Sequence, residues 1–180
     1  MQAAAGESRQ PRLTYFAGWG LAEQCRWVMA ASNIEWEQVA LSNHEQFMSL
    51  RESGQLLFGQ LPLLEIDGLR MVQSQAMVRY AARRGGLCGT SPAEEAQVDM
   101  IAEAVRDARG GLTGYPFSDD KKSHAIRCSA QLHGKQLPHL EAAIQQGGGT
   151  AVRSGLTYAD VLLAEMIEGY NGFLQEVSDR

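Results

Sequence analysis

Gln73 and Ser74 stand where a short segment, Leu69-Arg70-Met71-Val72, gives way to a run of helical character from Gln75 to Tyr80. A helix start leaves N–H groups without partners and carries partial positive charge, so a carboxylate placed there is held by main chain and Ser hydroxyl together. Just upstream, Leu61-Pro62 leads into Leu63-Leu64-Glu65-Ile66, an apolar strand closed by Asp67-Gly68, a dipeptide that favours a tight hairpin turn. Tyr15 ends another short strand, directly before the glycines Gly18 and Gly20 and a helix start. Taken without its surroundings, a tyrosine in that place reads as a packing residue.

The elements that must position these groups are set by periodicity. Leu13 to Ala17 predicts a strand, and Leu21, Cys25, Val28 and Met29 fall on one face of a helix over about 21–32. Glu35 to Leu41 forms a second strand, Glu45 to Leu57 an irregular helix and loop, and Leu61 to Val72 a hairpin. After Gly85-Gly86 the pattern turns wholly helical. Ser91-Pro92-Ala93-Glu94 supplies an N-cap, a proline at the first helical position and a glutamate set to complete a capping box, opening a helix to about Arg109. A further helix runs from about Asp119 to Gln146, bent or broken at Pro138 and ended by Gly147-Gly148-Gly149. Thr157-Tyr158-Ala159-Asp160 places a side-chain acceptor at the N-cap of the last helix and a carboxylate in its first turn. The expected organisation is a mobile tail over 1–10, a mixed α/β domain over 11–86 and an all-helical domain over 91–180.

Composition narrows the class. The chain has 180 residues, of which 44% are hydrophobic, enough for a sizeable core. A net charge of −5 and the lack of any basic cluster longer than Arg83-Arg84 or Lys121-Lys122 argue against a nucleic-acid surface. The three cysteines, Cys25, Cys88 and Cys128, are odd in number and far apart, which suits a reducing compartment better than a disulfide or zinc framework. Cys25 lies on an apolar helix face and reads as core, with no second cysteine three residues away. His44, His124, His133 and His139 show no metal spacing and read as surface or interface residues, so no metal is expected. Met1 to Gln10 lacks the apolar stretch of a signal peptide, and no run approaches the roughly 18 apolar residues that span a bilayer, so a cytoplasmic protein without membrane contact is expected. Gly18-Trp19-Gly20 lacks the third glycine of a dinucleotide loop.

Leu13-Thr14-Tyr15-Phe16 with Ala22-Glu23 and Arg26, Phe58-Gly59-Gln60-Leu61-Pro62 through Asp67-Gly68, Gln73-Ser74 with Arg79-Tyr80, and Leu156-Thr157-Tyr158-Ala159-Asp160 together resemble the cytosolic glutathione S-transferases. The resemblance runs in order and at family spacing from Leu13 onward, and it is to the tyrosine-type branch, near the alpha and sigma classes. It implies a thioredoxin-like N-terminal domain followed by an all-helical C-terminal domain, a homodimer, a role in detoxification, and glutathione as co-substrate with a small apolar electrophile. Tyr15 would carry the catalytic hydroxyl. A phenol donating to a thiol sulfur favours the thiolate and lowers a pKa that is about 8.5 when free.

The resemblance also assigns binding residues one at a time. Gln73 and Ser74 would take the γ-glutamyl carboxylate, and Leu61 would pair its backbone with the cysteinyl unit as an added strand pairs with a sheet edge. Pro62 matches the family's cis-proline, Gln60 and Arg51 would reach the γ-glutamyl backbone and the glycyl carboxylate, and Phe47 would wall that end. Asp107 matches a carboxylate that reaches the neighbouring subunit's site. Two of these have plain alternatives: Arg51 as a solvated helix charge, and Asp107 as a surface ion pair with Arg106 or Arg109, worth little.

Two departures stand out. Trp19 and Leu21 occupy positions where the alpha and sigma patterns carry arginines, the second of which helps hold the thiolate. The helical domain is also short against the family pattern, which implies an open electrophile side or a dependence on dimerisation. The sequence therefore reads first as a transferase conjugating apolar electrophiles. Two other readings stay open: a weakly active or non-catalytic glutathione or ligand-binding protein, and a glutathione-dependent isomerase of the prostaglandin type.

Overall fold

The computed structural model describes residues 10–178. The expected mobile tail over 1–10 therefore lies, apart from Gln10, outside the described residues. The chain divides into two compact units, Met1–Ala81 and Ala82–Arg180.

In the first unit, β1 (Arg12–Phe16), α1 (Glu23–Ala31), β2 (Glu37–Leu41), α2 (His44–Glu52), β3 (Leu63–Ile66) and β4 (Leu69–Val72) precede α3 (Ser74–Gly85). The strands form one sheet in the order β2-β1-β3-β4, with β1 and β2 parallel and the other pairs antiparallel. A parallel pair needs a crossover, which α1 provides, whereas Asp67-Gly68 closes the β3–β4 hairpin in two residues, both at positive φ. Leu13 and Leu64 are fully buried, as are Cys25, Val28 and Met29 of α1 and Met77, Val78 and Ala81 of α3. This is the thioredoxin-like arrangement.

The segment expected to be irregular holds a regular nine-residue helix, α2. Its caps explain it: the Asn43 side chain accepts from the Gln46 N–H, and the Gln46 side chain accepts in return from the Ser42 N–H at 2.8 Å. A small apolar cluster of Leu56, Leu63 and Val72, packed by Phe47, Leu50 and Leu61, fixes the stretch after α2.

The second unit is built from α4 (Pro92–Gly114), α5 (Lys121–Gln131), α6 (Leu137–Gln146) and α7 (Tyr158–Ser178). Its division from the first falls within α3, between Ala81 and Ala82, rather than in the stretch after Gly85. The Leu87 N–H donates to the Ala82 carbonyl, tying the end of that helix to the segment that leads into α4. Helix α4 runs five residues beyond the expected stop at Arg109. Gly111 serves packing within the helix: a Cβ there would come within 2.7 Å of the Tyr170 hydroxyl and 2.8 Å of Cys128 Sγ, whereas one at Gly110 would meet open space. The expected capping box is displaced as well. Ser91 caps the Glu94 N–H, but the Glu94 carboxylate turns to the N–H and hydroxyl of Thr90, and these bonds hold its pKa down. Between α5 and α6 the chain stays helical through a π-helical stretch, Leu132–Gln136, and Pro138 falls in the first turn of α6. At the start of α7, Thr157 donates through both its N–H and its hydroxyl to Asp160, which also accepts from the Ala151 N–H at 2.7 Å. The Thr157 hydroxyl is thus a donor here, not the acceptor the sequence suggested.

Candidate active site

Tyr15 lies at the penultimate position of β1, where the strand has finished pairing with β3 but still runs beside β2. The loop after it needs two glycines at positive φ, Gly18 and Gly20. At Gly20 the requirement is also steric, since a Cβ there would sit 2.6 Å from the Tyr15 hydroxyl oxygen. That close approach lets the Leu21 N–H donate to the same oxygen at 3.1 Å. The phenolic proton therefore points elsewhere, available to a group in front of it.

Across from Tyr15, Gln73 adopts φ 73°, a conformation that costs a non-glycine residue on the order of 1–3 kcal/mol and is held only where the surroundings impose it. The Gln73 carbonyl accepts from the Ala76 and Met77 N–H groups and so starts α3, leaving the first N–H groups of that helix without intrahelical partners. The Gln73 side-chain amide donates to the Gln60 side-chain oxygen Oε1 at 3.3 Å. The Leu61–Pro62 bond is cis.

A cleft of about 270 Å³ brings together Tyr15, Phe47, Gln60, Leu61, Pro62, Gln73 and Ser74, all of them singled out from sequence. Three further residues complete its lining: Phe16, Leu21 and Gly59. Phe16 and Phe47 meet with ring centroids 5.8 Å apart, so this end is aromatic and apolar, whereas the Gln60, Gln73 and Ser74 end is polar.

The remaining two sequence candidates fall outside that lining. Arg51, exposed in the last turn of α2, lies behind the cleft wall: a Cβ at Gly59 would come within 3.1 Å of its Nε. Asp107 is an exposed carboxylate on α4, in the second unit. Neither expected ion pair forms there, because Arg106 pairs with Glu103 at 2.8 Å and Arg109 is drawn into a buried fork with Glu165. Cys25 is fully buried on α1, and burial pushes its thiol up to about 12, so it is a core residue.

Residues 11–83 match the family model for the glutathione S-transferase N-terminal domain. Over 161 residues the chain is 35% identical to glutathione S-transferase 3 of Gallus gallus, a match spanning 88% of this chain and 70% of that protein. The chain belongs to the glutathione S-transferase family. It is 33% identical to glutathione S-transferase alpha-4 of Rattus norvegicus, over 88% of this chain and 72% of that one. Among solved structures, it matches monomeric Na-GST-3 of Necator americanus with a TM-score of 0.76 at 27% identity, covering 95% of this chain and 91% of the other. The pi-class glutathione S-transferase of Onchocerca volvulus matches with a TM-score of 0.80 at 26% identity, over 96% and 82%.

For a glutathione S-transferase, what the sequence leaves out of this cleft is main chain. The Leu21 N–H is a donor that residue type does not reveal, because the sequence pattern at Leu21 speaks only of the side chain. Its signal is present in Gly18 and Gly20, whose spacing brings the chain back over Tyr15.

Proposed function

We propose that this chain conjugates glutathione to small apolar electrophiles, with the first unit as the glutathione-binding domain and Tyr15 as the group that stabilises the thiolate. The observation that carries this is the Tyr15 hydroxyl, fixed by the Leu21 N–H at one side of a cleft whose other side is the start of α3. The γ-glutamyl carboxylate would sit at that start, held by the Ser74 hydroxyl, the free N–H groups and the Gln73 side chain. Leu61 would offer its backbone to the cysteinyl unit, and Gln60 its amide to the γ-glutamyl backbone. Phe47 and Arg51 would border the glycyl end. Asp107 would reach the bound ammonium group of a neighbouring subunit.

In this reading the thiol gives its proton to solvent, and the phenol donates a hydrogen bond to the resulting thiolate. The sulfur then forms a bond to carbon, and the displaced electron pair leaves with the leaving group or is protonated by water. A hydrogen bond accepted from Leu21 makes the phenol a better donor, because accepting polarises its own O–H. Phe16 and Leu21, exposed beside Tyr15, favour an electrophile without charge at that side. Glutathione is the only co-substrate required.

A homodimer is supported by Leu57 and Phe58, large apolar residues 78% and 62% exposed in the loop before the cleft. Three free cysteines support a reducing, cytoplasmic setting, in which glutathione is at hand as the nucleophile for detoxification by conjugation.

The test is conjugation of glutathione to a small activated aryl halide by the purified chain, with glutathione affinity measured by calorimetry. Saturable turnover with binding supports the transferase. Binding without turnover replaces it with a glutathione-holding protein, and absence of both removes the reading.

A further inference from the structure

An arginine grips the loop that carries Leu21. From α1, the Arg26 guanidinium donates through Nη1 to the Gly18 carbonyl at 3.0 Å and, at 3.5 Å, to that of Trp19, while Nε donates to the Gln38 side chain at 2.9 Å. Gln38, on β2, donates in turn to the Leu13 carbonyl at 3.0 Å, two residues before Tyr15 on β1. Glu23 holds Nη1 from below at 2.5 Å and is itself fixed by the Trp27 indole N–H at 3.1 Å. Arg26 and Glu23 are both about four-fifths buried, with side-chain exposures of 18% and 19%, so water does not substitute readily for either.

The loop has two conformationally permissive residues. Gly18 and Gly20 both adopt positive φ and both can leave it at little cost, so the backbone between Phe16 and Leu21 is permissive unless something external fixes it. Arg26 grips its middle carbonyls, and through Gln38 it grips the strand that bears Tyr15. One side chain thus links the two ends of the Leu21 to Tyr15 hydrogen bond, beside main-chain bonds from the Ala17 N–H to the Leu41 carbonyl and from the Glu23 N–H to the Gly20 carbonyl.

We propose that Arg26, supported by Glu23, is a positioning residue for the reaction: it holds the Gly18-Trp19-Gly20 loop so that the Leu21 N–H stays on the Tyr15 oxygen. The main chain thereby supplies part of the polarisation that the Leu21 side chain does not. This rests on the transferase reading, and it extends that reading to residues outside the cleft.

The test is a double-mutant cycle between Arg26→Ala and Tyr15→Phe, read as the pH profile of kcat/KM for aryl halide conjugation, with glutathione Kd alongside. In the otherwise unchanged chain, Arg26→Ala is expected to move the profile up by about one pH unit and to cut the rate at neutral pH about tenfold. Glutathione Kd should stay within about twofold, since the groups at the start of α3 are untouched. In the Tyr15→Phe background the same change should cost less than about twofold, because Arg26 acts only through that hydroxyl. Arg26→Lys keeps a cation but cannot bridge Gly18 and Gln38 as a fork, so it should displace the profile in the same direction. It also serves where the alanine variant does not fold.

A profile for Arg26→Lys or Arg26→Ala that superimposes on that of the unchanged chain overturns the proposal, even where thermal stability falls. Equal losses in both Tyr15 backgrounds do the same. If Tyr15→Phe itself leaves the rate unchanged, the role of Tyr15 falls first and that of Arg26 with it, so the two failures are told apart.

Discussion

The two walls of the cleft hold their polar groups by different means. At the α3 side the donors are rooted in a helix whose inner face, Met77 and Val78, is fully buried, so the first-turn N–H groups stay in place as long as the unit is folded. At the Tyr15 side the decisive donor, the Leu21 N–H, belongs to an exposed residue at the end of a two-glycine loop, secured by side chains on α1 and β2. One wall is held by the core and the other by a polar network. Affinity should depend on the first, and rate on the second.

The widest separation should come from removing both side chains at the helix start. Replacing Gln73 and Ser74 together by alanine removes two hydrogen bonds to a carboxylate, each worth about 1.5–3 kcal/mol, and should weaken glutathione binding roughly a hundredfold or more by calorimetry. At saturating glutathione kcat should change far less. A kcat loss that matches the affinity loss would erase the distinction between the walls.

Gly20→Ala attacks the other wall. Its added Cβ, 2.6 Å from the Tyr15 oxygen at a backbone φ of +49°, must displace either the loop or the phenol. The expected outcome is a fall in kcat of about tenfold with Kd preserved, equivalent to about 1.4 kcal/mol of transition-state stabilisation. A smaller change, of opposite sense, comes from Leu21→Arg, which returns a cation to a position lining the cleft beside Tyr15. It should lower the apparent pKa of the bound thiol by less than about one unit, read from thiolate absorbance against pH. No downward movement would count against any role for charge at that position.

The smallest effect expected is none. Because burial pushes the Cys25 thiol up to about 12, alkylating reagents at pH 8 should leave it unmodified in the folded chain, and equally so in the Gly20→Ala variant. Labelling of Cys25 in that variant, detected by mass spectrometry, would show that the loop and α1 loosen together and that the second wall is not a local feature.

Much of the first unit is legible in the sequence because its signals are local. Asp67-Gly68 announces its hairpin, Gln73-Ser74 a helix start, and the spacing of Cys25, Val28 and Met29 a buried face. The features that escape depend on partners distant in sequence. Arg26 joins Gly18 to Gln38 only after β1 and β2 have paired, and no pattern within α1 shows that. Helix α4 passes its expected stop at Arg109, and close approach to Tyr170 and Cys128 explains the glycine at position 111. Arg109 does carry a sequence clue to its role. It lies on the stripe of Val98, Ala102, Val105 and Leu112, a core face, so a charge there requires a buried counterpart, which Glu165 provides with contacts at 2.8 Å.

The most direct test of the central claim is Tyr15→Phe, with kcat for aryl halide conjugation and glutathione Kd measured on the same preparation. A kcat lower by about tenfold or more, with Kd within about twofold of the unchanged chain, is the expected result. Loss of affinity in proportion to rate, or a rate that survives the change, would contradict it and return Tyr15 to a packing role.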